Sequence, residues 1–185
     1  DGQGAPAVRG FAETPKYEYV LTTIARGAPA RSIPLALRRE MLGSIAEALR
    51  RVLARAHTLG VVHRDIKPEH VFVDIDDQDL GVTIIDWEVA QLGRCRPIGD
   101  VGTTAFKGWE ITRLRRHREA LVGPSADAFA LGLTLWSLAV DRVPDITWRG
   151  ALDPALPRLD ALWPDAPLPL IELIAELTRA RPDHR

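Results

Sequence analysis

Between Pro34 and Leu59, apolar side chains recur at Leu35, Leu42, Ile45, Leu49, Val52, Leu53 and Ala56, with arginines filling the other faces. Such three- and four-residue spacing predicts an amphipathic helix. Ser32 is placed to cap its start and Gly60 to end it. Upstream, Tyr17 to Ile24 mixes β-branched and aromatic residues in an extended run that stops at the breaker cluster Arg26-Gly27-Ala28-Pro29. Downstream, Val61-Val62 and Val71-Phe72-Val73 read as short strands. Asp74 to Gly81 reads as a polar turn into the strand Val82-Thr83-Ile84-Ile85, which leaves Asp86 at a strand end. A nearly unbroken apolar stretch from Ala128 to Val140 predicts a buried helix capped by Ser125. Pro144 to Pro169 is proline-rich and irregular, and Ile171, Ile174 and Leu177 mark a last amphipathic helix over about 170–180.

With 185 residues, 46% of them hydrophobic, the chain can bury a substantial core, and one domain is the natural expectation. The formal net charge of −1 gives no electrostatic case for nucleic acid or a membrane surface. The 128–140 run is shorter than the roughly 20 apolar residues a membrane crossing needs, and Asp127 and Asp141 bracket it. The lone Cys95 excludes an internal disulfide framework and fits a reducing, cytoplasmic setting. Because the chain opens on Asp1 and holds one methionine, Met41, it reads as a piece of a longer protein.

The chemistry concentrates in His63-Arg64-Asp65-Ile66-Lys67-Pro68-Glu69-His70 and in Asp86 beyond it. A carboxylate and an ammonium two positions apart, with a second carboxylate at a neighbouring strand end, can grip a polyphosphate, a divalent cation and an incoming hydroxyl. The segment resembles the catalytic loop of eukaryotic-type serine/threonine protein kinases, His-Arg-Asp-Leu-Lys-Pro-x-Asn, and departs from it at Leu→Ile and at the final Asn. Other family elements follow in order. Asp86-Trp87-Glu88 looks like Asp-Phe-Gly, and Gly108-Trp109-Glu110 looks like Ala-Pro-Glu. Asp127-Ala128-Phe129-Ala130-Leu131-Gly132 resembles the start of the large-lobe core helix, and Arg181-Pro182-Asp183-His184-Arg185 the late Asp-Pro-x-x-Arg element.

The resemblance implies an α+β, protein-kinase-like fold: a mainly α-helical C-terminal lobe with short β-hairpins around the catalytic loop. Residues 1–30 would be a remnant of the small lobe and hinge, and residues 31–185 the large lobe, truncated near its end. It implies ATP and Mg²⁺ as cofactors and a protein substrate presenting serine or threonine. Asp65 would take the substrate hydroxyl's proton, Lys67 would neutralise the transferring phosphoryl group, and Thr103 would hydrogen-bond both. Leu21 would be the gatekeeper, the backbone of Thr22, Thr23 and Ile24 would meet adenine, and Phe72 would contact the nucleotide. Asp86 would bind Mg²⁺. His63 and Trp87 would pack in an apolar stack, Asp127 would hold the catalytic loop's amides, and Glu110 and Arg185 would pair. Arg64 would face Asp100, because the usual phosphosite has no hydroxyl and Thr103 is committed; the expectation is a kinase without an activation-loop phosphorylation switch.

The departures carry expectations too. His70 replaces the asparagine that helps hold the second metal ion, and imidazole is a poorer Mg²⁺ ligand than an amide oxygen. Glu88 replaces a glycine; if the backbone stayed extended from Asp86, its carboxylate would share Asp86's side and could join the metal shell. No glycine-rich loop precedes the hinge and Lys16 is too close to it to serve as the nucleotide-clamping lysine, so this piece alone would be inactive. A pseudokinase acting as a binding or scaffold module is the alternative. A small-molecule phosphotransferase is a further one, which Glu110 and Arg185 argue against.

Overall fold

The computed structural model describes residues 4–75, 80–93, 101–108, 110, 122–145 and 156–185. Cys95, Asp100 and Trp109 lie outside the described residues. Strand β1 (Val8–Glu13) and strand β2 (Glu18–Thr22) form an antiparallel hairpin with Phe11 paired to Val20. The hairpin is largely exposed on both faces. After the hinge-like stretch, β3 (Ala28–Pro29) joins β5 (Val71–Ile75) and β6 (Leu80–Ile84) in a three-stranded antiparallel sheet of order β3-β5-β6. Two short strands, β4 (Val61–Val62) and β7 (Gln91–Leu92), pair on the other side of the 63–70 loop.

Helix α1 (Leu35–Thr58) follows its apolar stripe and buries Leu42, Ile45, Leu49 and Leu53. It packs on helix α2 (Pro124–Val140), whose side chains from Phe129 to Val140 are all buried. A helix that is apolar on every side belongs at the centre of a helical layer, and α1 together with the later helices α3 (Leu159–Leu162) and α4 (Leu168–Leu177) surrounds it. No helix among the described residues is long and apolar enough to cross a membrane.

The caps differ from expectation. Ser32 belongs to a 3-10 turn, Ala30–Ser32, and its hydroxyl donates back to the Pro29 carbonyl; Pro34 takes the N-cap position of α1 with no side-chain bond. Ser125 does not cap α2 either. Pro124 has no N–H to satisfy and is favoured in the first helical position, so the helix starts before Ser125, with Gly123 as N-cap. Gly60 does end α1, at φ +76. Helix α4 begins and ends two or three residues before the expected bounds, and the chain passes through Thr178, whose hydroxyl donates to the Ile174 carbonyl. Within the proline-rich stretch, α3 adds a helical turn where none was expected.

Arg38 is the larger surprise, because it sits inside the core at 1% exposure rather than on a solvated face. Its Nε donates to the Leu138 carbonyl at 2.7 Å and its Nη1 to the carbonyls of Arg31 and Ile33. Its Nη2 meets Asp141 Oδ1 at 2.7 Å. Arg39 Nε adds a bond to the Ala139 carbonyl. Two arginines of α1 thus satisfy the C-terminal carbonyls of α2, where a positive charge also suits the helix dipole. Arg38→Ala should lower the free energy of unfolding by about 3 kcal/mol, since several buried acceptors lose their donor at once. Arg38→Lys should recover less than half of that, because an ammonium cannot reproduce the planar fork. Urea unfolding of the three proteins checks both statements.

Candidate active site

Asp127 organises the 63–70 segment from below. Its carboxylate, fully buried, accepts from the backbone amides of His63 and Arg64, each at 2.8 Å, and from His57 Nε2 at 2.8 Å. These bonds hold Arg64 at φ +72, a left-handed conformation unusual for a side chain of its size. The turn swings Asp65 towards Lys67, and the chain then runs through the 3-10 turn Pro68–His70 into β5. Ile66, fully buried, pins the turn to the core.

Above this turn, Lys67 Nζ donates to Asp65 Oδ2 at 3.0 Å and to Thr103 Oγ1 at 2.8 Å, while the Thr103 amide donates to Asp65 Oδ1 at 2.6 Å. Thr103 can come this close because Gly102 precedes it. Gly102 lies at φ +91, and a Cβ there would fall 2.5 Å from the Arg64 carbonyl oxygen. Burial pushes the Asp65 carboxyl upward, but the hydrogen bonds from Lys67 and Thr103 outweigh it and hold it below the ordinary carboxylate range. Asp65 is therefore an ionised, directed acceptor at neutral pH. Its stabilising contribution is present above the ordinary carboxylate pKa and is lost as pH falls through the depressed folded value.

On the other side, His70 Nδ1 lies 2.9 Å from the Asp65 backbone carbonyl, and His70 Nε2 lies 3.1 Å from Asp86 Oδ2. Asp65, His70 and Asp86 can each turn one ligand atom to within 4.8 Å of the others. Asp86 is at φ +63, which breaks the extended path past β6. The parity that would have set Glu88 beside Asp86 fails for that reason. Glu88 sits in an exposed turn, outside the Asp65-His70-Asp86 group.

His63 is fully buried. Its Nδ1 accepts from the Asp65 amide at 3.2 Å, so Nε2 carries the proton and donates to the Ile85 carbonyl at 3.1 Å. Trp87 packs on its ring edge-on, with centroids 4.5 Å apart, and ties its own Nε1 to the Ile84 carbonyl. Burial lowers the His63 pKa, with the Asp127 charge and the Ile85 carbonyl opposing the effect. Arg64 is also lowered, again chiefly by burial.

Glu110 and Arg185 do pair: Nη1 binds Glu110 Oε1, and Nη2 lies 3.3 Å from Oε2. The Arg185 side chain is wholly buried and also donates to the carbonyls of Ser125 and Ala180, with its guanidinium 4.4 Å from the Phe129 ring centre.

The residues expected to meet a nucleotide are less gathered. Leu21 is 54% exposed on β2 and does not line the cavity described below; a two-stranded hairpin leaves its outer face exposed among the described residues. Thr22 is exposed, and Ile24 is 93% exposed. Thr23 is tied to Ala7 through both its amide and its hydroxyl, and Phe72 is half-buried opposite Pro29 and Thr83. A cavity of about 690 Å³ touches Thr23 and Ile24 but lies between the N-terminal segment, α1 and the β5–β6 hairpin, away from Asp65 and Asp86. His57 and Arg38 escaped the sequence reading, although Arg38 falls on the stripe Leu35, Leu42, Ile45 at helical spacing.

The family description "Protein kinase domain" matches residues 7–149, well over half of the chain. The chain belongs to the protein kinase domain family. Among curated proteins it is 30% identical over 173 residues to the serine/threonine-protein kinase PknL of Mycobacterium tuberculosis, covering 88% of this chain and 39% of that protein. It is 27% identical to calcium-dependent protein kinase 5 of Oryza sativa, covering 97% of this chain and 34% of that one. The chain thus spans well under half the length of these relatives. Its fold is similar to the crystal structure of the Mycobacterium tuberculosis PknI kinase domain, with a TM-score of 0.71, 21% identity, and coverage of 99% of this chain and 66% of that one. The expected α+β kinase-like fold is therefore the observed one.

Neutral His63 gives a pH dependence. The unfolded imidazole takes a proton near pH 6.5, whereas the buried one resists protonation until lower pH. Unfolding free energy is therefore fully retained above about pH 6.5 and falls as pH drops below it, by up to about 1.4 kcal/mol per unit until the folded pKa is reached. Thermal melts between pH 7.5 and 5.5 should show this loss, and His63→Gln should flatten it.

Proposed function

We propose that this chain carries the catalytic segment of a protein serine/threonine kinase, which transfers the γ-phosphoryl group of ATP to a protein hydroxyl. The observation that carries the reading is the Asp65-Lys67-Thr103 cluster, in which an ionised carboxylate and an ammonium are locked side by side by one threonine. A substrate hydroxyl donates its hydrogen bond to Asp65. As the oxygen–phosphorus bond forms and the bond to the β-phosphate oxygen breaks, Asp65 receives the proton and ADP leaves. Lys67 lies within reach of both groups and offsets negative charge on the transferring phosphoryl. Thr103 positions the two without reacting itself.

The family works with ATP and Mg²⁺, and a divalent cation would be held here by Asp86 and His70, supplying charge neutralisation on the nucleotide phosphates. Asp86 offers the hard oxygen such an ion wants; His70 offers a nitrogen. On the nucleotide side we assign adenine recognition to the main chain of Thr22, Thr23 and Ile24, with Phe72 beneath the base and Leu21 behind it. In this assignment residues 1–30 belong to the small lobe and hinge and residues 31–185 to the large lobe. The lone Cys95 supports a cytoplasmic setting. A scaffold reading gains nothing from the site, because a binding module has no need of Asp65, Lys67 and Asp86 together.

The test is ATP-dependent phosphate transfer to serine- and threonine-containing peptides by the full-length protein that includes this chain. Asp65→Asn should lower kcat by about 10²- to 10⁴-fold, the range of a lost general base. Asp86→Asn should weaken nucleotide binding as well as turnover. Activity unchanged in Asp65→Asn would overturn the proposal.

A further inference from the structure

We infer that the cavity between the N-terminal segment, α1 and the β5–β6 hairpin is a binding site for a small organic phosphate, a dianionic head on an apolar body. Four positions of α1 build one wall: Ala48, Arg51, Val52 and Arg55 fall at three- and four-residue steps and so share a helix face. The facing walls are held by main-chain bonds. The Gly4 carbonyl accepts from the Ile84 amide at 2.8 Å, the Ala7 carbonyl from the Thr23 amide at 2.9 Å, and the Thr23 hydroxyl from the Ala7 amide at 2.9 Å. These walls are fixed before any ligand arrives. About 690 Å³ remain between them, the size of a small-molecule site.

The interior is apolar and the mouth is basic. Ala48 and Val82 are buried and Val52 and Leu80 half-buried, whereas Arg26, Arg51 and Arg55 line the same cavity and are exposed. Asp74 is the one acidic residue among the described lining residues, so two positive charges are left over. Glu47 does not cancel them, because Arg50 holds its two carboxylate oxygens at 2.9 Å each and Arg51 reaches it only at 3.6 Å. Among the described residues, the side chains of Arg26 and Arg55 have no hydrogen-bond or ion-pair partner. Guanidinium groups grip phosphate oxygens through paired N–H donors, and a dianion matches the surplus charge. An inorganic head alone would leave the apolar interior wet; a ligand with an apolar body covers it. The site shares Thr23 and Ile24 with the assigned adenine side but none of Asp65, Lys67, His70 and Asp86, so it stands apart from the kinase reading.

The experiment is a calorimetric titration of the full-length protein that includes this chain with phenyl phosphate, compared with inorganic phosphate, benzoate and benzylamine. Phenyl phosphate should bind at least about tenfold tighter than inorganic phosphate, because its ring leaves water. It should also bind tighter than the monoanion benzoate, and the cation benzylamine should not bind. Combining Arg51→Gln with Arg55→Gln should weaken phenyl phosphate by about tenfold; both side chains are exposed, so the fold is spared. A second measurement uses the unaltered protein, with phenylglyoxal modification of arginines read by mass spectrometry. Phenyl phosphate should slow the modification of Arg26, Arg51 and Arg55 and leave that of Arg50, tied to Glu47, unchanged. Inorganic phosphate or benzoate binding as tightly as phenyl phosphate, an affinity untouched by the double substitution, or no protection of the three arginines would overturn the inference. None of these readouts involves phosphoryl transfer, so a failed kinase assay and a failed phenyl phosphate titration are separate results.

Discussion

The buried carboxylate of Asp127 is the constraint on which the catalytic side of the molecule rests. It is shut off from water and accepts from two consecutive backbone amides and one imidazole. Hydrogen bonds to a charged group are worth roughly 1.5–3 kcal/mol each, and a left-handed residue bearing a Cβ costs about 1–2 kcal/mol. The bonds therefore win, and Arg64 stays in a conformation it would leave in a free peptide. Every later placement follows from that turn: the direction of Asp65, the carbonyl that meets Gly102, and the approach of Lys67 to Thr103.

A second buried charge does the same work beside Glu110. Arg185 arrives from beyond α4, enters the space beside Phe129 and binds Glu110 with two nitrogens, while the Ser125, Arg179 and Ala180 carbonyls take its remaining donors. A guanidinium satisfied in this way is anchored, whereas one missing partner would leave an uncompensated charge in the core. Asp127 near the start of α2 and Arg185 beside Phe129 thus tie both the His63–Arg64 turn and Glu110 to the same helix.

The side-chain cluster was legible in the sequence because it is compressed. Asp65, Lys67 and His70 fall within six consecutive positions and Asp86 ends a recognisable apolar run, so their types and spacing survive without any knowledge of contacts. The long helices were legible through periodicity. What escaped was decided by local backbone angles or by distant partners. Glu88 was misplaced because parity assumes an extended chain and Asp86 is left-handed. Ser32 and Ser125 have the right side chains for caps, yet neighbouring prolines take the helix starts. Strand β1 carries no alternating burial, being exposed at every position but Gly10. Leu21 could be assigned a role by likeness but not an environment, since its exposure depends on what packs against β2. Arg38 was hidden by its charge although its spacing marked it as a core position.

The contact between Arg38 and the end of α2 spans 100 positions of sequence to Leu138 and 103 to Asp141. A chain emerging from the ribosome makes α1, and the Arg31 and Ile33 carbonyls before it, long before the acceptors at Leu138 and Asp141 exist. Until they emerge, that helix carries an arginine on its sticky face, which discourages both premature collapse and association with other nascent chains. Long-range closure of this kind slows folding, and it postpones maturation of the first half until most of the second has been synthesised.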